Sequence, residues 1–224
     1  MERGYRNLGY VLIALLPVFI AGFWIPYLSE IPHFDKSITA AVHIHAALLF
    51  CFLALLIVQP LAIRYQAFST HRVLGKASNI LIPFALAFSV AMLLKEYREH
   101  LTSGATVDVA RNAEFLSAAQ LLLFGILYAL SIASIRRRDV ATHMRYMICI
   151  VLVLLPAGLA RMLGYWFYVR QSTSQTVCLT AIDALLLALT LFDRRRHLSG
   201  RPYILVLTVY IFIEAFWITL GRPI

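Results

Sequence analysis

The chain has 224 residues, of which 61% are hydrophobic and 14% charged, and its formal net charge is +9; ordinary soluble domains run at about 45–50% and about 25%. With a mean hydropathy of +0.80, the apolar residues are not offset by a polar surface, which excludes a water-soluble core and points to lipid hydrocarbon as the main solvent. Nucleic acid is thereby excluded as the partner of the basic charge. Cys51, Cys149 and Cys178 all lie in apolar runs and read as small packing hydrophobes, which excludes a disulfide-stapled secreted domain.

Crossing about 30 Å of hydrocarbon at about 1.5 Å per residue takes about 20 mostly apolar residues. Seven stretches meet that requirement: Leu8–Leu28, Thr39–Ile63, Val73–Leu94, Ala113–Ile135, His143–Phe167, Thr176–Phe192 and Tyr203–Leu220. The first is too long for a signal peptide, carries Pro17 mid-segment and lacks a small-residue cleavage site, so it reads as a retained span. The predicted fold is therefore all-α: a single seven-span transmembrane domain over residues 1–224. Only the polar, glycine-containing stretch at about Lys95–Asn112 is long among the connections, and it reads as a mobile loop or a surface helix.

Charge predicts the orientation. Thirteen Lys and Arg fall at one end: Arg3 and Arg6 before span one, Arg64, Arg72 and Lys76 after span two, Arg136, Arg137, Arg138 and Arg145 after span four, and Arg194, Arg195, Arg196 and Arg201 after span six. Only Glu2, Asp139 and Asp193 oppose them. At the other end Lys36, Lys95, Arg98, Arg111, Arg170 and Arg222 are matched by Glu30, Asp35, Glu96, Glu99, Asp108 and Glu114. The excess of basic residues places the N-terminus inside and the C-terminus outside.

Two histidines open spans on the inside, in His71-Arg72-Val73-Leu74-Gly75-Lys76 and His143-Met144-Arg145-Tyr146-Met147. Neutral imidazoles on neighbouring helices can ligate the iron of a haem b from both faces, with Arg72 and Arg145 suited to the propionates. Gly75 allows a flat ligand or another helix to approach closely. The competing reading has these histidines capping helix starts or bonding loop carbonyls, and the arginines marking orientation alone.

Ionisable groups deep in a membrane are costly unless partnered, so Arg161, Asp183 and Glu214 are a second candidate site, in the middle to outer half of spans five to seven. Arg161 follows His143 by five full helical turns, so both project from one face, about 27 Å apart. Pairing of Arg161 with Asp183 or Glu214 is expected, most simply in a three-way network. His43 and His45 point to opposite faces of span two, and the register with Gln59 favours His45 for the interior. Glu114 is a weaker member of this outside pocket. Tyr165, Trp166 and Tyr168 read as an interfacial aromatic belt, and Pro156 as a bend in span five. A packing ion pair competes with a ligand- or proton-binding pocket. A hydrolytic zinc site lacks its trio of inward histidines on one side.

Several of these pieces recur together. A histidine opening span two (His43/His45), Gln59-Pro60 followed by Arg64, His71-Arg72-x-x-Gly75, and Asp139-x-x-x-His143-x-Arg145-x-Met147 with Arg161 downstream resemble a bacterial family of multi-span membrane proteins catalogued as a domain of unknown function. The resemblance covers about residues 40 to 165 and implies an integral protein of the cytoplasmic (inner) membrane, without implying a reaction. The His-Arg-x-Leu-Gly string also resembles the haem-ligating helices of ferric-reductase-like and ascorbate-type b cytochromes. Three functions follow as expectations. The first is a haem-binding or quinone-interacting redox protein using His71 and His143. The second is a transporter or receptor-like bundle binding a small ligand or protons at His45, Glu114, Arg161, Asp183 and Glu214. The third is an intramembrane enzyme on a lipid-like or isoprenoid substrate, with Asp183, Glu214 or Arg161 as catalytic candidates.

Overall fold

The computed structural model describes residues 5–31 and 38–219; Glu2, Arg3, Asp35, Lys36 and Arg222 of the charge comparison, and Leu220 at the end of the seventh predicted span, lie outside them. Within the described residues the fold is all-helical: α1 (Leu8–Phe23), continued by a π turn (Trp24–Leu28), α2 (Ala40–Arg64), α3 (Phe68–Thr102), α4 (Val107–Arg136), α5 (Val140–Phe167), α6 (Gln171–Arg195) and α7 (Arg201–Thr219). All seven are long and apolar enough to cross a membrane, with mean hydropathies of 1.7 to 2.6 over their most apolar windows. The protein is an integral membrane protein.

The helices make a closed ring. α1 packs on α2, α2 on α3, α3 on α4, α4 on α5, and α5 returns to α1, while α6 and α7 lie outside the ring against α5, with α7 also touching α4. α5 is therefore shared by both parts, and half of its apolar window is buried, against 11–28% for the other spans. Its Asp139 caps the helix by accepting from the Thr142 N–H at 3.0 Å. That bond holds the exposed Asp139 carboxyl below its usual range.

The ring closes where α1 and α5 touch backbone to backbone. A Cβ on Gly22 would lie 2.2 Å from the Gly158 carbonyl oxygen, and one on Gly158 would lie 3.2 Å from the Phe19 Cα, so glycine is required for this approach. Just beyond, Pro26 sits in the π turn without an N–H, and the Ala21 carbonyl, five residues before it, accepts from the Trp166 indole at 2.9 Å. Trp166 thus ties α5 to α1 while remaining half exposed like Tyr165, beside the fully exposed Tyr168.

The Lys95–Asn112 stretch is mostly helical rather than a long loop: α3 runs to Thr102 and α4 starts at Val107, leaving only Ser103–Thr106 as the turn. Its charges are spaced to support helix in water, with Lys95–Glu99 at 2.7 Å and Asp108–Arg111 at 3.0 Å. Gly104 takes the left-handed conformation at φ +91°, and Thr106 caps α4 by accepting from the Val109 N–H at 3.4 Å.

Candidate functional site

Three polar clusters emerge, and α5 sorts them. His143 and Arg161 share one of its faces, turned into the ring. Arg145, about 200° around from His143, faces α6 and α7.

At the ring's arginine-rich end, the His143 Nδ1 donates to the Ser131 carbonyl of α4 at 3.1 Å, with the Ser131 hydroxyl 2.8 Å away. A proton on Nδ1 satisfies the carbonyl, and in that tautomer the Nε2 presents a lone pair. The Gln59 amide of α2 lodges against one turn of α3. Its oxygen accepts from the Gly75 N–H at 2.9 Å, and its nitrogen donates to the His71 carbonyl at 3.3 Å and to the His71 Nδ1. In that orientation the His71 Nδ1 accepts, which matches the tautomer with its proton on Nε2. His71 and His143 are close enough to interact electrostatically, and in these tautomers one presents a donor and the other an acceptor.

His71, Gly75 and Ser78 line one face of α3, and Ser78 meets the Tyr128 hydroxyl of α4 at 2.9 Å, which also donates to Asn79 at 3.1 Å. Tyr128 and Asn79 form the inner wall of a groove of about 490 Å³ between α3 and α4, open to the lipid side and bordered by Arg136 and Arg137. Arg72 is exposed on α3.

At the ring's other end, the Arg161 guanidinium bonds its own Ala157 carbonyl at 2.8 Å and lies 5.1 Å from the Phe23 ring. His45 and Glu114 are within its electrostatic reach. His45 meets the Ser89 hydroxyl at 3.5 Å, His43 meets Tyr27 at 2.9 Å, and Glu114 pairs with His100 at 3.3 Å. Among the described residues no carboxylate lies within ion-pairing distance of Arg161. The three-way network expected from sequence is therefore divided: Arg161 points into the ring, and Asp183 and Glu214 lie on the far side of α5, where α6 and α7 meet.

There the Asp183 and Glu214 carboxyls hydrogen-bond to one another. Tyr210, fully buried on α7, is close to both and faces the Gln120 amide of α4. The Tyr210 hydroxyl and Gln120 Nε2 are buried without a closed hydrogen bond.

The third cluster joins α5 to α6 and was not expected from sequence. Arg145 and Asp193 are 1% and 0% exposed and pair at 2.6 Å. The Tyr5 hydroxyl donates to Asp193 at 2.7 Å, and Tyr203 donates to Tyr5 at 3.1 Å. Arg145 also donates to the Ala141 carbonyl at 3.0 Å and lies 5.6 Å from the Tyr5 ring. Burial pushes the Tyr5 hydroxyl well above its ordinary range, which keeps it a donor. Arg145, a propionate candidate by sequence, is committed here to Asp193. A signal for Asp193 existed: Leu179, Ile182, Leu186 and Thr190 are buried at helical spacing on α6, and the next step of that stripe is Asp193.

Among the described residues, no three His, Cys, Asp or Glu side chains gather in a metal-binding group. A haem iron held by both rings needs an Nε2 lone pair from each. His143 offers one, with its Nδ1–H on a carbonyl as metal-ligating histidines have. His71 offers one in the tautomer with its proton on Nδ1, which the Gln59 carbonyl accepts when that amide is turned the other way. No family model, curated protein or solved structure matches the chain.

Proposed function

We propose that the protein binds the head group of a lipid-soluble quinone or quinol between His71 and His143, inside the ring of α1–α5. The observation that carries this reading is the set of partners at the two Nδ1 atoms, the Ser131 carbonyl at His143 and the Gln59 amide at His71, which suits opposite tautomers. A quinone carbonyl accepts from the His71 Nε2–H, and a quinol hydroxyl donates to the His143 Nε2, so the pair serves either state of one ligand. The groove at Tyr128 and Asn79 supports a lateral route from the bilayer, as an isoprenoid-tailed molecule requires. The His45–Arg161–Glu114 end is the polar counterpart of the same ring, about five helical turns away.

The test is thermal unfolding of the detergent-purified protein with a short-chain quinone, alongside a visible spectrum. A ligand at a hundredfold excess over Kd stabilises by about 2.7 kcal/mol. That gain should appear in the unmodified protein and be lost in His143→Ala and His71→Ala. A Soret band that vanishes in the same variants would replace the quinone by haem. Colourless protein indifferent to quinones would sink both.

A further inference from the structure

The Asp183–Glu214 contact is a different kind of feature from the histidine pair, and the quinone reading makes no use of it. Two carboxylates are acceptors only, so a hydrogen bond between them means that one holds a proton. The pair as a unit then carries one negative charge. Among the described residues, no Lys, Arg or His forms an ion pair with either carboxyl. Tyr210 of α7 faces the pair, and Gln120 of α4 and Cys149 of α5 lie beyond it, against Tyr210. α6 and α7 thus hold an uncompensated charge inside the bundle.

A packing role alone leaves the orphaned atoms unexplained. The fully buried Tyr210 hydroxyl, close to the Asp183 and Glu214 carboxyls, and the Gln120 Nε2 both lack closed hydrogen bonds. Together Asp183, Glu214 and Tyr210 supply three hard oxygen donors, two of them anionic, the ligand type that suits hard cations rather than transition metals.

We propose that Asp183, Glu214 and Tyr210 form a site for an alkali-metal cation that exchanges with the proton shared by the two carboxyls. When Na+ enters, the O–H bond of the protonated carboxyl breaks, the proton leaves to water, and both carboxylates ligate the ion. The net charge of the site is −1 before and after. The exchange therefore leaves the electrostatic burden on the low-dielectric interior nearly unchanged, whereas a divalent ion would alter it. Tyr210 supplies the neutral oxygen, with its hydroxyl facing the Gln120 amide.

The experiment uses the full chain in detergent, in weak buffer with a pH-indicating dye, titrated with NaCl and with choline chloride. The expected result is one proton released per Na+ bound, with apparent Na+ affinity rising as much as tenfold per pH unit where proton and cation compete, and no release with choline. Asp183→Asn and Glu214→Gln should each abolish the release. Tyr210→Phe keeps both carboxyls and should weaken Na+ binding several-fold while preserving one proton per ion, which tests the site even if the amide variants fail to fold. Release that is equal with choline, Na+ affinity independent of pH, or unchanged Na+ affinity in Tyr210→Phe would overturn the proposal. Quinone stabilisation is read separately in the same samples, so each site can fail alone.

Discussion

Two acid-bearing clusters lie on the α6–α7 side of α5, and they are built on opposite principles. Around Asp193, both carboxylate oxygens are used, one by Arg145 and one by Tyr5, and Tyr203 closes the chain of donors. Around Asp183 and Glu214 there is no cationic partner among the described residues, and the two carboxyls bond to each other beside a Tyr210 hydroxyl that lacks a closed hydrogen bond. The first arrangement resists change, because every group depends on its neighbour. The second is held by one exchangeable proton, as a site that trades that proton for a cation would be in its protonated state. Charge inside a membrane protein therefore separates by how far it is satisfied rather than by its depth.

Four substitutions break or sharpen this contrast. The largest effect is expected for Asp193→Ala, which strands the buried Arg145 guanidinium: about 3–5 kcal/mol of destabilisation, read as a fall in the detergent melting temperature or failure to recover folded protein. Combining it with Arg145→Met should restore a large part of the loss, and a double variant no better than Asp193→Ala would refute a mutual lock. Tyr203→Phe removes only the outer donor and should cost about 1 kcal/mol by the same melt. The smallest effect belongs to Asp183→Asn, whose amide keeps a hydrogen bond to Glu214 while needing no shared proton. Its melting temperature at neutral pH should move by less than that of Tyr203→Phe; a loss as large as that of Asp193→Ala would show that the carboxyl pair is itself a structural lock.

The seven spans were legible because apolar runs of about 20 residues have few other uses in a chain this poor in charge. Helix ends were not, since α3 and α4 pass beyond the hydrocarbon on residues such as Lys95, Glu99, Asp108 and Arg111, which stabilise helix in water but register as polar loop in a hydropathy count. His71 and His143 stood out as titratable groups at the start of spans, and five turns between His143 and Arg161 put both on the ring face. Their partners Gln59 and Ser131 were beyond reach, because pairing across helices depends on how neighbours are rotated. The same limit misassigned Arg161: spacing gave its depth, and only the packing of α6 and α7 outside the ring shows that Asp183 and Glu214 face each other instead. Asp193 was passed over because it lies beside Arg194, Arg195 and Arg196, where a carboxylate reads as solvated.

The glycine contact between α1 and α5 bears on how the protein is made. Gly22 and Gly158 are roughly 136 positions apart, and at about 5–20 residues per second the ribosome takes about 7–27 seconds to bridge that interval. During that time α1 has no partner to close against, although its face for α2 is already satisfied. Until α5 arrives, the first four helices form an open arc with their polar inner faces, Gln59, His71 and Ser131 among them, turned toward lipid or the insertion machinery. Ring closure is thus a late step of biogenesis, and the first helix must wait for the fifth.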